Sequence, residues 1–214
     1  MARQQNEGPA TTFRRDALTP GLRVLGVAPL AFFALHAHYH VSQGTAGHLL
    51  WTCTISNLLL AVGLFLGLPT LIRVAVMWLI LGLPLWTWDM MEQGAGPAST
   101  FLTHVGGLAL GLLALSRVRA ARRQWAYAFI WYLALQLASR LVTRRELNVN
   151  LAYDMYGGWH DLFHSYWKFW LFMSSVVAAA LWLTGLALLK LFPPRVNRTR
   201  QGSYDGDNVS PQTA

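Results

Sequence analysis

The sequence predicts an all-α fold, a polytopic membrane helical bundle of six transmembrane helices with both termini in the cytoplasm. The 214 residues are 54% hydrophobic and only 12% charged, whereas soluble domains carry about 25% charged residues. Several apolar segments are long enough to cross a bilayer, which takes about 20 residues in a helix. Arginines fall between these segments and near the two ends of the chain, as membrane anchors do.

Six apolar segments divide the chain. They cover roughly residues 22–40, 48–67, 70–88, 99–117, 124–143 and 164–191. Glycine and proline mark their boundaries, as at Gly67-Leu68-Pro69, and Pro193-Pro194 stops the last helix. We therefore predict one transmembrane domain, residues 21–192. A disordered cytoplasmic arm, residues 1–20, precedes it, and a disordered cytoplasmic tail, residues 193–214, follows it, because both are too polar to order themselves.

Positive charge sets the predicted orientation. Basic residues precede the first segment, follow the fourth and follow the sixth, which places all three groups on the cytoplasmic side of a six-span protein. They are Arg14, Arg15, Arg23, Arg117, Arg119, Arg122, Arg123, Lys190, Arg195, Arg198 and Arg200. The net charge of +8 is thus assigned to membrane anchoring and not to nucleic acid, and the inner (plasma) membrane is expected if the protein is bacterial. Arg140, Arg144 and Arg145 fall on the opposite side, where they could bind an anionic head group, and we assign that role to Arg144 and Arg145.

The same topology gathers all seven histidines at the outer end of the bundle. They come from three separate stretches of sequence, so no local pattern forces this agreement. They are His36, His38, His40, His48, His104, His160 and His164. Ionisable side chains within a membrane usually mark a functional site, so we expect the chemistry of the protein at this end.

One candidate chemistry is acyl transfer. Cys53 and Thr54 precede Asn57 in the second segment, and His104 lies near the start of the fourth. A thiol or hydroxyl beside a histidine base is the minimal activated nucleophile. Cys53 or Thr54 would attack a carbonyl, His104 would take the proton, and Asn57 would donate to the developing oxyanion. Small polar residues also serve simply to pack helices in membranes, and this alternative stays open.

The other candidate chemistry is metal binding. His36 and His40, like His160 and His164, are four residues apart, so each pair shares one face if the chain there is helical. Four imidazoles would suit Zn, Cu or Fe, with Asp161 as a further ligand or as a partner that orients a histidine. The single cysteine, Cys53, excludes an internal disulfide and any site that needs two thiolates.

Two family resemblances bear on the choice. The runs Thr54-Ile55-Ser56-Asn57-Leu58-Leu59-Leu60 and Phe101-Leu102-Thr103-His104 resemble the androgen-induced-gene family of six-span membrane hydrolases and a related transmembrane acyltransferase group. The resemblance covers roughly residues 48–155 and implies a Thr or Cys nucleophile with a His partner. The stretch Trp51-Thr52-Cys53-Thr54 and the pair His160/His164 are also similar to the zinc-dependent alkaline ceramidase superfamily, but the Ser-x-x-x-His element of that superfamily is missing.

Together these observations favour a membrane-embedded lipid hydrolase or acyltransferase that acts on a lipid or another hydrophobic small molecule. A histidine-ligated, metal-dependent membrane enzyme is the first alternative. A non-enzymatic small transporter or membrane assembly protein is the second, in which the histidines would serve proton coupling or protein contact.

Overall fold

A computed structural model describes residues 18–94, 96–155 and 157–194, and within these residues the chain forms helices and no strand. The predicted arm and tail therefore lie almost wholly outside the described residues. The longer helices are α2 (Val27–Ser42), α3 (Thr52–Leu66), α4 (Pro69–Gln93), α6 (Gly107–Val118), α7 (Gln124–Val142) and α9 (Tyr166–Leu191). Short helices complete the set: α1 (Pro20–Val24), α5 (Ala98–Phe101) and α8 (Trp159–Leu162).

Four stretches are long and apolar enough to cross a membrane, which supports an integral membrane protein. They are Pro20–Ser42, Pro69–Glu92, Ala98–Val118 and Tyr166–Leu191. The helix Thr52–Leu66 is also apolar but has only 15 residues. Gln124–Val142 occupies the fifth predicted segment without being one of the four. All six apolar segments are thus helical, while six membrane crossings and cytoplasmic termini stay predictions.

Helix α4 is the centre of the bundle, because it packs against α3, α6, α7 and α9. Ile72, Met77 and Leu79 on this helix are completely buried. Glycines on the neighbouring helices allow the close approach: a Cβ at Gly63 of α3 would lie 2.9 Å from Ile72, and one at Gly111 of α6 would lie 2.9 Å from Val76. Small residues at helix interfaces are the usual means of packing helices in a membrane, where the hydrophobic effect does not drive helices together.

Arg73 closes the end of the bundle at which α4 begins. Its guanidinium donates to the carbonyls of Val118 (2.9 Å) and Arg119 (2.8 Å). These carbonyls end α6 and have no partner within that helix. The next residue, Ala120, donates its N–H to the carbonyl of Phe192, so the ends of α6 and α9 are held together.

Asn150 closes the opposite end. Its Nδ2 donates to the carbonyl of Leu50 (2.8 Å) and to the hydroxyl of Ser139 (3.0 Å), and its Oδ1 accepts from the N–H of Thr52 (3.1 Å). Gln136 donates to the Asn150 carbonyl (3.0 Å). Asn150 is buried and has a left-handed φ of 55°, a conformation that asparagine tolerates better than most residues. One side chain therefore joins the start of α3 to α7 and to the loop that follows α7.

Replacement of Asn150 by Ala is expected to lower the free energy of unfolding by about 2–3 kcal/mol, because it leaves the buried Thr52 N–H and Leu50 carbonyl without partners. Thermal unfolding in detergent micelles measures the change. Asn150→Gly is the matched variant, since glycine accepts the left-handed φ but makes none of the bonds. If Asn150→Gly is as stable as the natural protein, the hydrogen bonds contribute nothing.

Candidate functional site

The histidines lie at the end of the bundle that Asn150 closes. We call this the histidine-rich end, defined by the end of α2, the start of α3, the end of α4 and the segment from α5 to α6. His36 and His104 are buried there, and His40 and His48 are half-buried. His38, His160 and His164 are exposed. The predicted gathering of histidines is thus seen most clearly for four of the seven.

His36 and His40 form the middle of a hydrogen-bonded chain. Their Nε2 atoms are 3.2 Å apart, which confirms that the pair shares one face of α2. His36 Nδ1 lies 3.2 Å from the hydroxyl of Ser99 in α5. His40 Nδ1 lies 2.9 Å from the hydroxyl of Thr45 in the loop after α2.

The protons of this chain can be arranged in two directions. One is favoured, because the Thr45 hydroxyl also donates to the carbonyl of His40 (3.3 Å) and so accepts from His40 Nδ1. With Nδ1 of His40 protonated, the donors run from Ser99 through His36 and His40 to Thr45, and with all the bonds reversed they run from Thr45 to Ser99. Each neutral imidazole supplies one donor and one acceptor in either direction. One added proton leaves three protons on four ring nitrogens, which still satisfies every contact. The geometry therefore suits the holding or passing of a single proton.

His48 is fixed by a tryptophan. It precedes α3 in a single helical turn, Ala46–Leu50, and its Nδ1 accepts a hydrogen bond from the indole N–H of Trp51 (2.9 Å). Its ring centroid is 5.3 Å from that of His40. Burial lowers the pKa of His48 below its ordinary value, and the neutral ring is also the form that can accept from Trp51.

His104 lies in a π-helical turn, Leu102–Gly106, between α5 and α6. Such turns are rare and are frequent at functional sites. His104 Nδ1 is 2.9 Å from the carbonyl of Thr100. Because a carbonyl only accepts, Nδ1 carries the proton in the neutral ring, and Nε2 has a lone pair. Trp86 of α4 stacks on the ring, with 5.0 Å between centroids and 10° between planes.

Cys53 and Thr54 lie in the first turn of α3. A Cβ placed at Gly82 of α4 would be 2.6 Å from the Cys53 Cβ, so Cys53 faces α4 at a close approach of the two helices. Thr54 is buried. No hydrogen bond in the described part of the chain joins either residue to His104. Asp89, one turn beyond Trp86 on α4, is near enough to act electrostatically on both Cys53 and His104.

Asn57 holds two helices together. Its Nδ2 donates to the carbonyl of Thr103 (2.9 Å) and to that of Cys53 (3.4 Å), and its Oδ1 lies against Gly107, where a Cβ would collide with it. With both Nδ2 protons engaged, Asn57 has no N–H to offer an oxyanion. These contacts are those of a residue that packs α3 against the turn carrying His104.

The second histidine pair does not share a helical face, which corrects the prediction. Helix α8 ends at Leu162, Phe163 is extended and α9 begins at Tyr166, so His160 and His164 belong to different local structures. His160 Nε2 instead lies 3.7 Å from Asp154.

The predicted four-histidine metal site is not assembled in the structure. Asp161 is exposed, like both histidines of the second pair. Among residues 18–94, 96–155 and 157–194, no group of three or more His, Cys, Asp or Glu side chains is arranged to hold a metal ion. The predicted site with Zn, Cu or Fe on His36, His40, His160 and His164 therefore has no structural support.

The predicted head-group residues lie in the loop after α7. Arg144 donates to the carbonyl of Gly44 (3.0 Å) and so ties this loop to the one after α2. Arg145 is exposed at the start of a short helical turn, Arg145–Leu147. Arg140, in the last turn of α7, belongs to the same end of that helix.

Sequence reasoning missed several contacts of the site. Ser99 and Thr45 end the imidazole chain, and Trp86 and Asp89 border His104 and Cys53. Only the spacing of Trp86 and Asp89, three residues apart on one helix, is a signal that the sequence contains. The contact with Ser99 is visible only once α2 and α5 are packed together, and the contact with Thr45 depends on the turn that follows α2.

The chain matched no known protein family, no curated protein and no solved structure in comparisons with each. Its class therefore follows from the fold and the site: a helical integral membrane protein with interacting histidines at one end.

The stability of the protein is expected to fall between pH 8 and pH 5, in part through His48. Because its pKa is lowered in the folded protein, its contribution is present above the ordinary pKa and is lost as the pH falls through the lowered value. Thermal unfolding across this range measures the effect. His48→Gln keeps an acceptor for Trp51 but does not titrate, so its stability is expected to depend less on pH. An unchanged pH dependence in His48→Gln would assign the effect to other groups.

Proposed function

We propose that the protein is an integral membrane enzyme that hydrolyses or transfers an acyl group of a lipid or another hydrophobic substrate, with His104 as the general base. The observation that supports this is the state of the His104 ring. The Thr100 carbonyl fixes the proton on Nδ1, which leaves the basic Nε2 in a buried site beside Trp86. A histidine whose other nitrogen is fixed by an acceptor is the arrangement that general-base catalysis requires.

Cys53 or Thr54 is the proposed nucleophile. The bond from Asn57 to Thr103 fixes α3 against the turn that carries His104, so the two sides of the site keep their relative position. A hydrogen bond between nucleophile and base is absent among the described contacts, but such bonds often tighten only when substrate binds. The resemblance to the six-span hydrolases and acyltransferases points to the same residues.

The backbone at the start of α3 is the proposed oxyanion site, in place of Asn57. The N–H groups of Cys53 and Thr54 lie in the first turn, where a helix has no internal acceptor for them, and both lie close to the Cys53 sulfur. Helix N-termini favour negative charge. A carbonyl attacked at this position would develop its charge next to these donors.

Purified protein is expected to hydrolyse p-nitrophenyl esters of long-chain acids, and His104→Gln is expected to lower the rate by about 10²–10⁴-fold. Cys53→Ser and Thr54→Ala, assayed separately, identify the nucleophile, and mass spectrometry locates the acyl group on it. His38→Gln, a change of an exposed histidine on α2, is the matched control. Full turnover in His104→Gln, or no turnover and no acylation in the natural protein, would contradict the proposal.

A second function is favoured by the chain from Ser99 to Thr45. Two imidazoles in direct contact can accept a proton on one side and release it on the other, as a path that conducts protons requires. This is the transporter alternative of the sequence, now attached to His36 and His40.

Proton flux into liposomes that contain the protein and an internal pH dye is expected to exceed that into empty liposomes. His36→Gln and His40→Gln are each expected to abolish the excess, because each replaces one imidazole of the chain with a group that does not titrate. His38→Gln is again the control. Flux equal to that of empty liposomes would exclude this function.

A further inference from the structure

Arg140 is surrounded by aromatic rings. Its Cζ lies 5.0 Å from the ring centroid of Trp167, 5.1 Å from that of Tyr166 and 6.0 Å from that of Tyr153. The residue is exposed in the last turns of α7. Within the described ranges, no side chain or carbonyl accepts a hydrogen bond from its guanidinium, and no carboxylate forms an ion pair with it.

The two tyrosine rings that contact Arg140 are held in place by their hydroxyls. The Tyr153 hydroxyl is 2.6 Å from the carbonyl of Thr143 and 2.7 Å from that of Arg140 itself. The Tyr166 hydroxyl is 2.8 Å from the carbonyl of Ala152. These bonds join α7, the following loop and the start of α9. The two tyrosines beside Arg140 are therefore a fixed part of the fold.

The neighbours of Arg140 face the exterior and are apolar. Leu137 and Leu141, which flank it on α7, are 60% and 75% exposed, and Leu171 on α9 is 63% exposed. Exposed leucines of this kind on a helical membrane protein contact lipid. An arginine among them is costly unless an anion or polar atom satisfies it, and the described residues provide neither.

The five N–H donors of the guanidinium are available to that anion, because none of them has an acceptor among the described residues. All five lie in the plane of the group. Guanidinium edges bind phosphate oxygens with two parallel hydrogen bonds. Lys168, exposed in the first turn of α9, adds a second positive charge next to Trp167 in the sequence. A cation at a helix N-terminus is unfavourable by itself, and a bound anion would offset this.

We propose that Arg140 and its aromatic rings bind the phosphate group of an anionic phospholipid at the membrane interface. The site does not depend on the acyl chemistry or on the proton chain, because neither uses α9 or Arg140. The proposed site also gives a reason for Arg140 to lie on the outer side of the predicted six-span topology, where the charge pattern predicts few arginines.

Native mass spectrometry of the protein with phosphatidylglycerol tests the proposal. The natural protein is expected to retain one such lipid, and Arg140→Gln is expected to lower the affinity at least tenfold. Arg140→Lys is expected to lose most of it too, because lysine keeps the charge but not the planar fork. Arg122→Gln is the matched control, since Arg122 is an exposed arginine in the loop before α7 at the opposite end of that helix.

The remaining outcomes separate the sources of the phosphate. Release of the lipid by millimolar inorganic phosphate would indicate a soluble phosphate ligand and overturn the lipid assignment. Equal retention of phosphatidylcholine would overturn the preference for an anionic lipid. Unchanged binding in both Arg140 variants, or an equal loss in Arg122→Gln, would overturn the site itself. Thermal unfolding of each variant in the same detergent shows whether a loss of lipid reflects a loss of fold.

Discussion

The rest of the histidine-rich end depends on the buried amide of Asn150. It bonds to the carbonyl of Leu50 and the N–H of Thr52, which lie on either side of Trp51, and to the hydroxyl of Ser139 on α7. His48 lies just before these residues, and Cys53 follows them directly. Without a polar side chain at position 150, the N–H of Thr52 and the carbonyl of Leu50 would be buried unpaired, at a cost of about 1–3 kcal/mol each. The loop after α7 thus sets the position of the candidate nucleophiles, although it contributes none of them.

Within the bundle, polar contact depends on small residues. Asn57 reaches the carbonyl of Thr103 only because Gly107 leaves space for its amide, and Cys53 approaches α4 only because residue 82 is glycine. These two close approaches bring α3 against both α4 and the turn that carries His104. The same mechanism packs the apolar centre at Gly63 and Gly111. One packing principle therefore builds the membrane core and positions the site.

The sequence was sufficient to predict the helices, because each apolar segment is long and bounded by proline, glycine or arginine. It also predicted the pair His36 and His40, since a spacing of four residues in an uninterrupted helix fixes their proximity. It failed at His160 and His164, where the same spacing spans the extended Phe163. The role of Asn150 could not be predicted either, because its partners are about 11 to 100 residues away along the chain. Spacing predicts contacts inside one helix, and contacts between elements require the packing.

The two imidazole systems differ in what fixes their protons. His104 bonds to a carbonyl, which never donates, so its neutral ring has one tautomer and one basic nitrogen. His36 and His40 end on hydroxyls, which can both donate and accept, so their chain can run in two directions. The bond from the Thr45 hydroxyl to the His40 carbonyl favours the direction that ends on Thr45. A fixed tautomer favours the removal of a proton from a bound substrate, whereas a reversible chain favours the movement of a proton past a point. The two proposed functions therefore depend on different histidines, and a change in one group can be made without altering the bonds of the other.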